Sequence, residues 1–274
     1  MFILFDIGGT KLRIAASRDG VTFSEPRILE TPREFNQALF VIGKAVHELA
    51  GGVPVNAIIG GVAGSLDKSK SVIVRAPNLP AWHNAPLKHE LERRLGAPVM
   101  LENDAALEAL GEAVHGAGKH HDIVGYLTVG TGIGGARIVR GRIDAKTLGF
   151  EPGHQIVDPK GPPCACGGRG HLESFVSGAA LYAHTGRRPE DIEDPHVWDA
   201  LAQWLAVGTY NALVHWSPDI IIFGGSMMKK IPLERVHAYA KGAMHIFGDV
   251  PHFVHGTLGD SAGLYGALAL LKQR

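Results

Sequence analysis

Apolar residues along this chain gather into short strand-like runs interrupted by glycine, with longer stretches of helical period between them. Phe2 to Phe5 is an apolar strand that ends on Asp6, turns through Gly8-Gly9-Thr10-Lys11, and resumes as a second apolar run from Leu12 to Ala16. The same design returns as Tyr126 to Val129, a turn Gly130-Thr131-Gly132-Ile133-Gly134-Gly135, and a run from Ala136 to Val139. Residues 33–50 set Phe35, Leu39, Ile42, Val46 and Leu49 on one face of a helix. Further strands are expected at 57–62, 72–74, 98–101, 219–223 and 253–258. Further helices are expected at 87–95, after Asp104 to about His115, and over 177–184, 197–215, 232–244 and 262–271, with a loop-rich stretch at 144–170.

Strands alternating with helices imply α/β layers. The chain shows no linker, and the division expected from the pattern is 1–104 for a first lobe and 105–258 for a larger second one. The helix in 259–274 is expected to pack back on the first lobe. At 274 residues, 45% hydrophobic and 20% charged, the composition is that of a globular protein able to bury a substantial core. A formal net charge of zero removes any general attraction to nucleic acid or to an acidic membrane. No apolar run approaches the roughly 18 residues of a membrane span, and strand-like sequence from Phe2 leaves no room for a charged leader. Cys164 and Cys166 are too close for an easy disulfide, which fits a reducing compartment and makes the cytoplasm the expected location.

The two glycine turns carry the chemistry. A residue without Cβ lets backbone N–H groups approach an anion closely, and Thr10 and Thr131 add hydroxyls at comparable places. Gly130, Gly132 and Gly135 also satisfy G-x-G-x-x-G, but a dinucleotide site requires a helix to follow, and a strand-like run follows here. Plain hairpins with no ligand are the competing reading. Asp6, Asp104 and Gly224-Gly225 all end apolar strands, where ligands bind in open α/β sheets. Phosphoryl transfer to an alcohol needs a metal-held phosphate chain and a carboxylate beside the acceptor hydroxyl. Asp6 suits the first task and Asp104 the second, with an N-cap role equally open for Asp104.

Five segments in order resemble the ROK sugar kinases, a family of glucokinase, N-acetylhexosamine kinase and fructokinase types with related repressors. Asp6-Ile7-Gly8-Gly9-Thr10-Lys11 resembles the first phosphate motif and Glu102-Asn103-Asp104-Ala105 the segment bearing the catalytic aspartate. Gly130 to Gly135 resembles the second phosphate motif, and Glu151-Pro152-Gly153-His154 the Glu-x-Gly-His element. Cys164-Ala165-Cys166-Gly167-Gly168-Arg169-Gly170-His171-Leu172-Glu173 resembles the zinc-and-sugar element. The resemblance implies a two-lobed actin-like ATPase (ribonuclease H-like) α/β fold, with mixed sheets flanked by helices, and a homodimer. It implies that Asp104 takes the proton from a sugar hydroxyl, the 6-hydroxyl of a hexose, and that Asn78, Asn103, Glu151, His154 and Glu173 bind the sugar. Gly8, Gly9, Thr10, Gly130, Thr131 and Gly132 would surround the phosphates of ATP with Mg²⁺ at Asp6, and Gly224-Gly225 would lie near the adenosine. Lys11 reads equally as a solvated lysine after a turn.

The chain departs from the family at His171, where a third cysteine is usual. His154, Cys164, Cys166 and His171 still make a set of two thiolates and two imidazoles compatible with tetrahedral Zn²⁺; loss of the metal is the competing reading. Glucose is the expected acceptor, with an N-acetylhexosamine or fructose as alternatives and a non-catalytic sugar sensor as another class. The repressor branch carries a DNA-binding extension that a strand starting at Phe2 argues against, so the expected partners are a sugar and a nucleotide.

Overall fold

The computed structural model describes residues 1–144 and 148–273; positions 145–147, at the start of the expected loop, lie outside the described residues. Two compact units result: Met1–His115 with Leu148-Gly149 and the segment from Asp260, and Gly116–Asp144 with Phe150–Gly259. No helix among the described residues is long and apolar enough to cross a membrane.

The first unit holds a five-stranded sheet in the order β3-β2-β1-β4-β7. β1 (Phe2–Ile7), β2 (Lys11–Ser17) and β3 (Arg27–Glu30) are antiparallel neighbours, while β4 (Ala57–Val62) and β7 (Val99–Asn103) run parallel to β1. Strand periodicity separates its two faces. Ile3, Phe5, Ile7, Ile58 and Val62 pack under α1 (Phe35–Ala50) and α2 (Leu87–Leu95), with Leu39, Ile42, Val46, Leu87 and Leu91. The opposite face carries Asp6 and Gly61 toward α3 (Asp104–His115) and α8 (Ala262–Leu271). A two-stranded ribbon, β5 (Ser65–Leu66) and β6 (Ile73–Arg75), follows β4.

The helix after Asp104 belongs to this unit, so the contacts do not divide the chain at the expected place. Glycine is the physical reason. A Cβ on Gly111 of α3 would meet the Ala262 carbonyl oxygen at 2.2 Å, and one on Gly266 of α8 would meet that of Leu107 at 1.9 Å. The helix backbones touch at a distance only glycine permits.

The second unit repeats the sheet design, β10-β9-β8-β11-β12. β8 (Ile123–Val129), β9 (Ile133–Val139) and β10 (Arg142–Ile143) are antiparallel, and β11 (Ile220–Gly224) and β12 (His252–His255) lie parallel to β8. Leu127, Val129, Ile221 and Phe223 pack against Leu201, Leu205 and Leu213 of α6 (Pro195–Trp216) and Val236 and Ala240 of α7 (Leu233–Ala243). The shorter α4 (Glu173–Val176) and α5 (Gly178–Thr185) lie between the loop-rich stretch and α6.

Candidate active site and metal centre

In the first unit the strand register sets Asp6 beside Gly61 and Gly61 beside Glu102. Asp6 and Asp104 therefore flank a residue with no side chain. A Cβ at Gly61 would lie 3.1 Å from Asp104 Cα and 3.5 Å from an Asp6 oxygen. Asp6 is buried, and burial followed by the charges of Glu108 and Asp104 raises its carboxyl well above the ordinary range. Burial also raises Asp104.

The N-cap role left open for Asp104 falls to its neighbour. Asn103 Oδ1 accepts the Ala106 N–H at 3.1 Å, and its amide donates to the Gly64 carbonyl at 3.2 Å. Asp104 starts the helix with one oxygen on the Ala105 N–H at 2.9 Å. Its carboxylate also meets its own N–H and the Asn103 side chain, and the cap of the helix is made by Asn103.

Asn78 stands out from a loop clamped by buried apolar residues. Ala76, Leu79 and Trp82 are fully buried, and Trp82 Nε1 donates to the Arg33 carbonyl at 3.1 Å, while Asn78 itself is exposed. A Cβ on Gly9 would come within 2.7 Å of Asn78 Cβ. The first glycine turn and Asn78 are thus in contact. Thr31 braces that turn: its hydroxyl donates to the Gly8 carbonyl at 2.8 Å and its N–H to the Thr10 carbonyl at 2.9 Å. Thr10 and Lys11 are exposed at the tip, and the N–H groups of Gly9 and Thr10 have no acceptor among the described residues.

The second glycine turn is built differently. The carbonyls of Gly130 and Thr131 accept the N–H groups of Gly178 and Ala179 at the start of α5, at 2.8 and 3.2 Å. Glu173 Oε2 accepts the Ile133 N–H at 2.8 Å, and a Cβ on Gly132 would collide with that oxygen at 2.3 Å. Thr131 is exposed, and the N–H groups of Thr131 and Gly132 again have no acceptor among the described residues. Free amides on a glycine turn suit an anion. The register of β8 with β11 pairs Thr128 with Gly224, which brings the Gly224-Gly225 turn beside this loop. Gly225 has φ +88° and no room for a Cβ, which would lie 2.3 Å from the Val129 oxygen.

Glu151-Pro152-Gly153-His154 packs on the same hairpin, since a Cβ on Gly153 would meet the Ile133 oxygen at 2.3 Å. His154 uses its two ring nitrogens in different directions. Nδ1 faces Cys164 Sγ at 3.8 Å, and Nε2 faces a Glu151 oxygen at 3.9 Å. His171 Nδ1 lies 3.3 Å from Cys166 Sγ, and one donor atom from each of His154, Cys164, Cys166 and His171 fits within 4.8 Å of the others. Tetrahedral zinc with sulfur and nitrogen ligands needs separations of about 3.3–3.8 Å, so the donor set fits the ion with small adjustments. The Gly168 N–H points at Cys166 Sγ at 3.4 Å, and a Cβ there would strike the His171 ring at 2.5 Å. Both cysteines are thiols, and burial pushes that of Cys164 up.

The sequence-expected residues thus form two sets. Asp6, Gly8 to Lys11, Asn78, Asn103 and Asp104 assemble in the first unit; Gly130 to Gly132, Glu151, His154, Cys164, Cys166, His171, Glu173 and Gly224-Gly225 assemble in the second. Gly61 and Thr31 were not anticipated. Gly61 reads as one half of a Gly-Gly pair inside a strand, the usual sign of close backbone approach; Thr31 follows an edge strand too polar to stand out.

Comparisons with known proteins identify the family and the fold. The chain is 31% identical to a glucokinase of Thermotoga maritima, over 98% of this chain and 96% of that protein. Its structure resembles a ROK family glucokinase of Streptomyces griseus solved with glucose and AMPPNP, at TM-score 0.85 and 29% identity, covering 100% of this chain and 99% of that one. A ROK hexokinase of Thermus thermophilus matches at TM-score 0.84 and 29% identity over 100% and 99% of the two chains. These neighbours share the actin-like α/β architecture. With the ROK family model matching residues 3–274, the chain belongs to the ROK family.

Proposed function

We propose that this protein is an ATP-dependent hexose kinase that transfers the γ-phosphoryl group to a sugar hydroxyl, with the 6-hydroxyl of glucose the first candidate. The observation that carries the reading is the division of labour at β7–α3: Asn103 caps the helix, which spares the neighbouring Asp104 carboxylate from the cap and leaves it for a substrate proton. A carboxyl raised above its ordinary value is a stronger proton acceptor, and a non-catalytic sugar sensor has no use for one. Near full-length likeness to glucokinases supports the substrate class.

Asp104 accepts the proton as the hydroxyl oxygen attacks phosphorus and the bond to the ADP oxygen breaks. Backbone N–H groups of Gly9, Thr10, Thr131 and Gly132 hold the phosphates and meet the charge that spreads over their oxygens. Mg²⁺, when bound, neutralises part of that charge; Asp6, crowded by acidic neighbours, is the residue suited to hold it, directly or through water. Asn78, Asn103, Glu151, His154 and Glu173 bind the other sugar hydroxyls.

Zinc belongs to the same proposal as a brace. It would fix the loop that carries Glu151, His154 and Glu173, with His154 Nδ1 toward the metal and Nε2 left for Glu151 and sugar. A coupled ADP-release assay over glucose, mannose, N-acetylglucosamine, N-acetylmannosamine and fructose tests the activity. Glucose should give the highest kcat/KM; no ADP release with any hexose would overturn the reading.

A further inference from the structure

The carboxylate immediately before the Asn103-Asp104 pair has no part in the chemistry above, yet it is 2% exposed. Glu102 Oε1 accepts the Asn103 N–H at 3.0 Å, and Oε2 is ion-paired with Lys70 Nζ. A carboxylate so buried is stable only when paired and hydrogen-bonded, and removing one partner is strongly unfavourable.

Lys70 is held for this contact by its own turn. It adopts φ +53°, a backbone conformation uncommon for lysine. The Asp67 carboxylate secures the turn by accepting the N–H groups of Ser71 and Val72 at 2.6 and 2.8 Å, and the Lys70 N–H returns to the Asp67 carbonyl at 2.8 Å. Lys70 therefore reaches Glu102 from a fastened, left-handed backbone position, with its side chain 42% exposed.

We infer that Lys70 is a positioning residue for phosphoryl transfer: its ammonium pins the buried Glu102 carboxylate, and Glu102 holds the Asn103 peptide from which Asp104 projects. The inference rests on Asp104 being the base. The chain of contacts is short and lies within one unit: Lys70 to Glu102, Glu102 to Asn103 N–H, Asn103 to the first turn of α3. Without Lys70, the buried Glu102 carboxylate loses the cation paired with its Oε2, and its hold on the peptide that sets Asn103 and Asp104 loosens.

The test compares Lys70→Met, Lys70→Arg and Lys70→Met/Glu102→Gln with the unmodified chain, kcat being counted per folded molecule. Lys70→Met should lower kcat about tenfold, in line with a sub-ångström displacement of a catalytic group. It should also raise glucose KM several-fold while leaving ATP KM unchanged. Lys70→Arg should restore kcat to within about twofold. The double variant should also recover most of it, because glutamine still accepts the Asn103 N–H and needs no cation. A merely structural lysine would lower thermal stability but leave kcat per folded chain and both KM values in place, and that result overturns the inference. If Lys70→Met does not fold, Lys70→Gln takes its place in the same comparison: kcat per folded chain lowered about tenfold supports the positioning role, and unchanged kcat and KM values overturn it. Asp104→Asn in the same assay separates the two claims, because its retention of turnover would sink the base and leave the lysine result without a catalytic reading.

Discussion

Gly61→Ala adds one methyl group between the two carboxylates on which the account depends. Gly61 has no left-handed φ, so alanine fits the strand backbone and the effect is steric. The new carbon would sit 3.1 Å from Asp104 Cα, 3.3 Å from Leu107 Cδ1 and 3.5 Å from Asp6 Oδ1. Carbon atoms prefer about 3.5–4.0 Å, so the start of α3 must retreat by roughly 0.5 Å. Overpacking of this kind costs about 1–3 kcal/mol, and the lower chain entropy of alanine returns ~0.5–1 kcal/mol, leaving a net loss of about 0–2.5 kcal/mol. Catalysis should suffer more. A displacement of 1 Å can lower a rate ~10²-fold, so half that distance predicts about a tenfold fall in kcat. Gly60→Ala is the matched control, since its Cβ would enter the Phe5 ring at 2.2–2.5 Å on the sheet's other face. That variant should lose more stability and keep its kcat per folded chain. Thermal unfolding and steady-state kinetics on both variants check the argument; an unchanged kcat in Gly61→Ala with a reduced one in Gly60→Ala would refute it.

Asp6→Asn should abolish Mg-ATP turnover yet raise the melting temperature at pH 7. The folded-state carboxyl is raised, so the folded protein binds more protons than the unfolded one, and the stability Asp6 contributes falls as pH climbs from the unfolded value of 3.8 through the folded one; calorimetry at pH 5 and pH 7 should show the variant's advantage growing with pH. Thr31→Val removes the hydroxyl that braces the first glycine turn, and should raise ATP KM several-fold with a stability loss of ~1 kcal/mol. His171→Ala should raise glucose KM with ATP KM unchanged, and elemental analysis should find about one zinc per chain in the untagged wild-type protein and less in the variant.

Local pattern carried much of the fold. The two hairpins, the parallel strands and the major helices announce themselves because alternation, helical period and glycine turns are short-range signals. β3 was missed for the opposite reason: Arg27 to Glu30 is mostly exposed and owes its place to hydrogen bonds with β2, not to burial. The boundary expected after Asp104 failed because the α3–α8 contact depends on Gly111 and Gly266, and nothing in either helix alone indicates that two backbones will meet. At the site, the glycine turns were legible from residue type and spacing, and the Cys/His set from the resemblance to the family's zinc element. The transfer of the cap to Asn103, the empty position at Gly61 and the two-directional imidazole of His154 were not, because each depends on where a neighbouring element presents a hydrogen-bond partner or withholds a side chain.

The central claim is that Asp104 serves the reaction and Asn103 serves the helix. Asp104→Asn tests it most directly, with glucose affinity and ADP release measured on the same preparation. The account predicts a fold of normal stability, glucose binding within a few-fold of wild type, and kcat reduced by ~10²–10⁴, the usual worth of a general base. Near-wild-type turnover in a normally folded Asp104→Asn chain would contradict it.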